Sequence, residues 1–188
     1  MQIFDFDNTL YHGESAVDFA LFMIKRNKRI IKWLPTIFYN LFKYKLCLVK
    51  MDEMERLVNN FLCDVIRNKK EVMEMTELFW KTHRKRLDER IVRRIRSGDM
   101  IITAGPSFLI DAIKSELGEV RLICSEIDLD AKKLCYLNFA KNKAQKFHEL
   151  CGERKITSFY TDSYNDRALM EISEKVFMVK RKRVERIK

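Results

Sequence analysis

Two short acidic clusters in this 188-residue sequence could do chemistry: Asp5-Phe6-Asp7-Asn8-Thr9 near one end and Thr161-Asp162-Ser163-Tyr164-Asn165-Asp166 near the other. Alternation along an extended segment points Asp5 and Asp7 the same way. Either cluster alone reads as a turn, because Asp and Asn stabilise bends and cap helices. Brought together, the four carboxylates would repel one another strongly. The usual remedy is a hard divalent cation with oxygen ligands, and Mg²⁺ is the one expected inside a cell. A carboxylate kept ionised beside such a cation can attack phosphorus. His12, His83 and His148 show no ligand spacing and read as surface or packing residues.

The elements that must position these groups are of two kinds. Residues 2–6, 99–104, 120–125 and 156–161 are short, mostly apolar runs that read as buried strands. Helical stretches at 107–117 and 141–151 lie between them, and strand alternating with helix implies a parallel sheet. Both acidic clusters then leave strands at the carboxyl edge of that sheet, where open α/β folds place their ligands. Residues 122–129 and 134–139 could form a hairpin beside it. By contrast, residues 15 to 97 read as all helix. Met54, Leu57, Val58, Phe61, Leu62, Val65 and Ile66 make one apolar stripe, and Gly98 supplies the stop. The fold class is α/β, a Rossmann-like parallel sheet core (1–14 and 98–188) with an inserted all-helical cap (15–97).

Composition agrees. Only 5 Gly and 2 Pro are present, against an average expectation of roughly 22 together. That excludes collagen-like and linker-rich chains and argues against a many-stranded sandwich or barrel. Five cysteines without a C-x-x-C pair read as reduced, mostly buried thiols. The chain opens without a basic region followed by an apolar stretch, so a cytoplasmic location is expected. No run is apolar enough to span a bilayer.

The net charge of +10 is unevenly spread. Residues 180–188 hold six bases against Glu185, and residues 19–51 hold eight Lys or Arg, seven aromatics and no acid. Such a segment could lie on an anionic membrane surface or draw in phosphorylated substrates; a solvated helical face is the plainer reading.

Four ordered segments carry a resemblance. Ile3-Phe4-Asp5-Phe6-Asp7-Asn8-Thr9-Leu10, Ile101-Ile102-Thr103-Ala104-Gly105-Pro106, a lysine near Lys143 and Tyr160-Thr161-Asp162-Ser163-Tyr164-Asn165-Asp166 resemble the motifs of the haloacid-dehalogenase superfamily. The helical block after the first motif resembles the cap of its phosphoserine-phosphatase-like branch. The resemblance implies that Asp5 is the nucleophile and forms an aspartyl-phosphate. Asp7 would act as acid and then base. It further implies Mg²⁺ held by the Asp5 carboxylate, the Asp7 main-chain carbonyl and Asp162, with Asp166 and Asn165 in support. Thr103 offers a hydroxyl, and Ala104, Gly105 and the following helix offer N–H groups as a phosphate cradle. Lys143 would neutralise charge on the transferred phosphoryl group, although Lys141 and Lys146 lie close enough to be the motif lysine. Glu14 stands where relatives often have an acid facing cap and substrate; a helix N-terminal charge is the alternative. The sequence departs from the family at Asn8 and Thr161, where Gly is usual. Asn tolerates positive φ, whereas the β-branched Thr161 narrows the backbone choice and would alter the pocket.

The expected function is a Mg²⁺-dependent phosphomonoester phosphatase acting on a small-molecule or lipid phosphate, with peripheral contact to an anionic membrane as a sub-option. The competing class is a non-catalytic basic protein that grips anionic membrane or nucleic acid through the cap and a basic C-terminal tail. No nucleic-acid-binding module is recognisable, so no specific nucleic-acid partner is expected.

Overall fold

The computed structural model describes residues 1–181 and 183–188. β1 (Gln2–Phe4) is followed by a long helical insertion: α1 (Ser15–Arg26), a 3-10 segment (Lys28–Trp33), α2 (Leu34–Lys45), α3 (Met51–Val65), α4 (Lys69–His83), a second 3-10 turn (Arg84–Arg86) and α5 (Glu89–Val92). The chain then returns to the sheet through β2 (Met100–Pro106), α6 (Ser107–Asp111), α7 (Lys114–Leu117), β3 (Arg121–Asp128) and β4 (Lys133–Tyr136). It continues with α8 (Lys141–Cys151), β5 (Ser158–Thr161), a 3-10 turn (Tyr164–Asp166), α9 (Arg167–Glu171), β6 (Val176–Lys180) and β7 (Arg183–Arg186).

Among the described residues the strands form one sheet in the order β4-β3-β2-β1-β5-β6-β7. Its centre is parallel, and β4 and β7 close the two edges antiparallel. β1 is central: Ile3 pairs with Met100 on one side and Phe159 on the other. The chain order reverses about β1, and this opens a crevice at the carboxyl ends of β1 and β5. Strand alternation divides the core into two faces. Ile3, Met100, Ile102, Phe159, Val176 and Met178 pack against Phe147 of α8 and Leu169 of α9. Phe4, Ile101 and Tyr160 face the other way, and Phe4, Tyr160 and Phe177 stack in a row across three strands with ring centroids 4.7 Å apart.

The insertion is fixed to this sheet by aromatics. Trp80 of α4 is buried, edge-on to Phe6 and Tyr11, and its indole N–H donates to the Leu109 carbonyl at 2.7 Å. Phe19 and Phe22 of α1 meet Phe79 of α4 edge to face. Gly13, at φ +129°, turns the chain into α1 where a Cβ would strike the Arg86 guanidinium.

Several expectations change. The helical pattern stops at Val92 rather than 97, and Leu87 bridges to Tyr11 instead of extending a helix. The hairpin expected around residues 130–133 is β3-β4. The basic C-terminal run is no tail: Arg183–Arg186 forms β7 on the edge of β6, with Met178 opposite Glu185. Cys124 is buried, but Cys47, Cys63 and Cys135 are exposed, because α3, β4 and the loop after α2 turn those side chains outward. The 19–51 segment, free of acids in sequence, meets them in space. Lys32 pairs with Asp64 at 2.7 Å and Lys43 pairs with Glu53. No helix among the described residues is long and apolar enough to cross a membrane.

Candidate active site

Asp5 follows β1 directly, and its N–H donates to the Tyr160 carbonyl at 2.8 Å, so the end of β1 is held against β5, the strand that delivers Asp162. Lys143 arrives from the first turn of α8. It is 2% exposed, and its ammonium lies 2.8 Å from Asp5 Oδ1 and 2.7 Å from Asp166 Oδ1. Burial alone would lower its pKa, but Asp166 and Asp5 outweigh that, and the amine is held above its ordinary range. The three candidate lysines are thereby separated. Lys141 is exposed and Lys146 pairs with Glu149 at 3.6 Å.

The four carboxylates do gather, but each is answered differently. Burial raises the Asp5 carboxyl well above the usual range, Lys143 opposes this, and Asp166 and Asp162 add to it. Burial also raises Asp7, opposed by Ser15, whose N–H donates to Asp7 Oδ1 at 2.6 Å. Asp162 is pushed up to about 7 by burial and then by Asp166. Asp166 is buried between Lys143 and the Thr161 hydroxyl, which donates to its Oδ2 at 2.8 Å. The expected mutual repulsion is thus met in part by the chain's own cation. Among the described residues no three His, Cys, Asp or Glu side chains form a metal site by themselves.

At the end of β2, Thr103 is fully buried. Its Oγ1 accepts from the Gly105 N–H at 2.9 Å, and Ala104 and Gly105 line the same cavity as Asp7 and Glu14. This irregular end of β2 is braced by residues that the sequence did not single out. Asn138 Nδ2 donates to the carbonyls of Thr103 and Ile123, each at 2.9 Å, and Ser125 Oγ donates to the Ala104 carbonyl at 2.8 Å. A polar residue inside the apolar Leu137-Asn138-Phe139 run was the available signal.

Glu14 precedes α1 but makes no capping bond. It accepts from Asn8 Nδ2 at 2.7 Å, and burial, then Asp7 and Asp162, push its pKa up to about 8. Asn8 takes φ 53°, the left-handed conformation its amide side chain tolerates. Asn165 turns toward the cap, where its Nδ2 donates to the Tyr44 carbonyl at 3.1 Å. Tyr44 itself was missed. Its hydroxyl is driven well above its ordinary pKa by burial, then by Asp5, Glu14, Asp166 and Asp162, so α2 delivers a neutral phenol to the site.

Among curated proteins no relative is detected by sequence. Solved structures are similar in fold. A protein of unknown function from Bordetella pertussis Tohama I superposes with a TM-score of 0.76 at 18% identity, over 94% of this chain and 87% of that one. A phosphoserine phosphohydrolase-like protein from Francisella tularensis gives 0.65 at 18%, covering 94% and 86%. A phospho-aspartyl intermediate analogue of phosphoserine phosphatase gives 0.55 at 15%, covering 93% and 83%. A family model for haloacid dehalogenase-like hydrolases matches residues 3–171, nearly the whole chain and every element carrying the site, and the chain belongs to that family.

Proposed function

We propose that this hydrolase cleaves phosphomonoesters through a phosphoryl group carried covalently on Asp5. One observation carries the reading: a buried ammonium bridges Asp5 and Asp166, with Asp7 two residues along the same loop. Lys143 holds Asp5 Oδ1 and leaves the second oxygen to attack phosphorus. The bond from phosphorus to the alcohol oxygen breaks as the phosphoaspartate bond forms. Asp7, kept protonated longer than an ordinary carboxyl by its burial, gives its proton to the departing alcohol. It takes a proton from the water that next attacks phosphorus, releasing inorganic phosphate and restoring Asp5. The Thr103 hydroxyl, which accepts from the Gly105 N–H, keeps its own proton to donate to a phosphoryl oxygen, and Lys143 stabilises the charge that builds there.

The residues fit a divalent cation. Asp5 and Asp162 are hard oxygen donors, and among the described residues Asp162 forms no ion pair with a lysine and the buried Ser15 hydroxyl beside Asp7 has no hydrogen-bond partner. The Asp5 and Asp162 carboxylates with the Asp7 carbonyl would hold Mg²⁺, which when bound supplies positive charge to the phosphoryl oxygens. The test is hydrolysis of p-nitrophenyl phosphate with Mg²⁺ by wild type and Asp5→Asn. Loss of about 10³-fold or more is expected; equal rates overturn the mechanism, and a rate untouched by chelator overturns the metal.

The outer face of α2 supports a peripheral contact with anionic membrane. Phe38, Tyr39 and Phe42 are each more than half exposed, as are Ile31, Leu46 and Leu48 beside them. Lys25 before α2 and Lys45 and Lys50 at and after its end are exposed and without ion pairs among the described residues. Aromatic and basic groups together suit an anionic interface. Co-sedimentation with anionic vesicles at low salt should bind wild type and fail for Phe38→Ser/Phe42→Ser. No binding by wild type removes this part of the reading.

A further inference from the structure

A cavity of about 250 Å³ runs from Asp7, Glu14 and Gly105 into the space between the helical insertion and the β2-β3 side of the sheet. Its inner walls are Met23 of α1, Leu41 of α2, Val58, Phe61 and Val65 of α3, and Phe139. No Lys or Arg lines it among the described residues. Of the polar side chains along it, Asn40 Nδ2 donates to the Thr36 carbonyl, Ser125 to the Ala104 carbonyl and the Trp33 indole to Asp64, while the Tyr44 phenol stands with the carboxylates at the catalytic edge. Beyond the catalytic edge the walls are almost wholly apolar, with Asn40 the one polar side chain among the described lining residues keeping an acceptor to offer, so a sugar, a base or the charged ends of an amino acid would leave most of their polar groups unmatched. A polar leaving group would lose its hydration there with little compensation. Only an apolar one gains by entering.

α2 bears on the same point. Ile37, Leu41 and Tyr44 face the cavity while Phe38, Tyr39 and Phe42 face outward, and no α2 residue is fully buried. A helix apolar on both faces belongs inside a core or against lipid. Here it forms a wall one helix thick between the cavity and the exterior.

Resting on the phosphatase reading, we infer that this cavity seats a long aliphatic leaving group, so that the substrate is the phosphomonoester of a chain alcohol, with phosphate at Asp5 and hydrocarbon between α1, α2 and α3. Monoalkylphosphonates test this on the wild-type protein, because their P–C bond is not hydrolysed and binding alone is read. From butyl to decyl, below micellar concentrations, the Kd should tighten about threefold to fourfold per methylene, at about 0.8 kcal/mol each, until the cavity is full. A flat series overturns the inference. Val58→Trp, which fills the cavity, should level the series if the variant keeps the wild-type circular dichroism; a levelled wild-type series would already have decided the matter. Two further arms separate the sources of such a chain. Decyl phosphate is offered as free monomer and, in parallel, a long-chain phosphomonoester is offered in phosphatidylcholine vesicles. Turnover in vesicles assigns a membrane lipid, and turnover of monomer alone a free amphiphile. If binding rises with chain length but neither phosphate is released, the phosphatase reading fails and the chain site stands.

Discussion

Removing the Lys143 amine would leave Asp5 and Asp166 buried and facing one another without a counter-charge. Lys143→Met should therefore cost about 3–5 kcal/mol of stability, as expected when one partner of a buried ion pair is lost, and about 10²-fold or more in turnover. Thermal melts and p-nitrophenyl phosphate kinetics check both, and an unchanged melt would contradict the buried pairing. Thr161→Val should act through the same carboxylate. It deletes the hydroxyl that holds Asp166 Oδ2, costing about 1–3 kcal/mol, a loss that Thr161→Ser should restore. Glu14 gives a pH signature. Its folded pKa of about 8 exceeds the ordinary carboxylate value near 4.3, so between these limits the folded state binds more protons than the unfolded one. Its contribution to stability then falls as pH rises from about 4 to 8. Glu14→Gln should flatten that part of the melting profile and be the more stable protein at pH 8; parallel profiles would rule the assignment out. At this scale the sequence was informative where chemistry is local. Asp5, Asp7 and Asp162 sit within short strand-to-loop motifs. Lys143 needed the α8 register, with Ala144 and Phe147 buried beside it, to be told from Lys141 and Lys146. Tyr44 was illegible because it meets Asp5 and Glu14, and Asp162 and Asp166 from more than a hundred residues away in sequence, only after α2 folds back over the sheet.

β7 is the clearest case of an element hidden by its composition. The Arg, Lys and Glu of residues 180–188 mask the alternation of a strand, and their charge reads as a solvated tail, yet an edge strand is where charge is useful because it discourages pairing with another chain. Deleting residues 183–188 should bare the β6 edge, which carries Val176, Phe177 and Val179. The shortened protein is expected to aggregate at concentrations where the 188-residue chain stays in solution, as size-exclusion chromatography would show. A product that elutes without aggregate and is equally stable would count against β7 as a guard. The central strands were readable because parallel strands, buried on both faces, are near-continuous apolar runs. α3 was readable from its stripe, and those same residues wall the cavity. What the stripe could not disclose is that it faces an opening rather than a filled core, since periodicity tells which side is apolar and not what lies against it.

Across the whole molecule the insertion between β1 and β2 is tied to the rest of the chain by polar contacts spread along its length, among them Asn59 Oδ1 accepting from the Leu134 N–H at 2.8 Å and Arg84 pairing with Glu116 at 3.1 Å. Trp80 meets Leu109, Asn165 meets the Tyr44 carbonyl, and His12 meets Asp88 at 3.5 Å. Membrane association driven by Lys25, Lys45 and Lys50 should weaken as ionic strength rises and the Debye length shrinks toward about 8 Å at physiological salt. A salt-independent association would place the weight on Phe38, Tyr39 and Phe42 instead.

The chain has two tryptophans in unlike settings. Trp80 is sealed between Phe6 and Tyr11, whereas Trp33 is half-buried on the cavity wall, edge-on to Phe61. Indole emission responds to the polarity around it, so the protein carries a built-in optical gauge. A chain entering the cavity should shift the emission of Trp33 toward the blue and leave Trp80 silent. With Trp33→Phe the shift should vanish while ligand still binds, and the remaining Trp80 signal should then change only when the helical insertion lifts from the sheet.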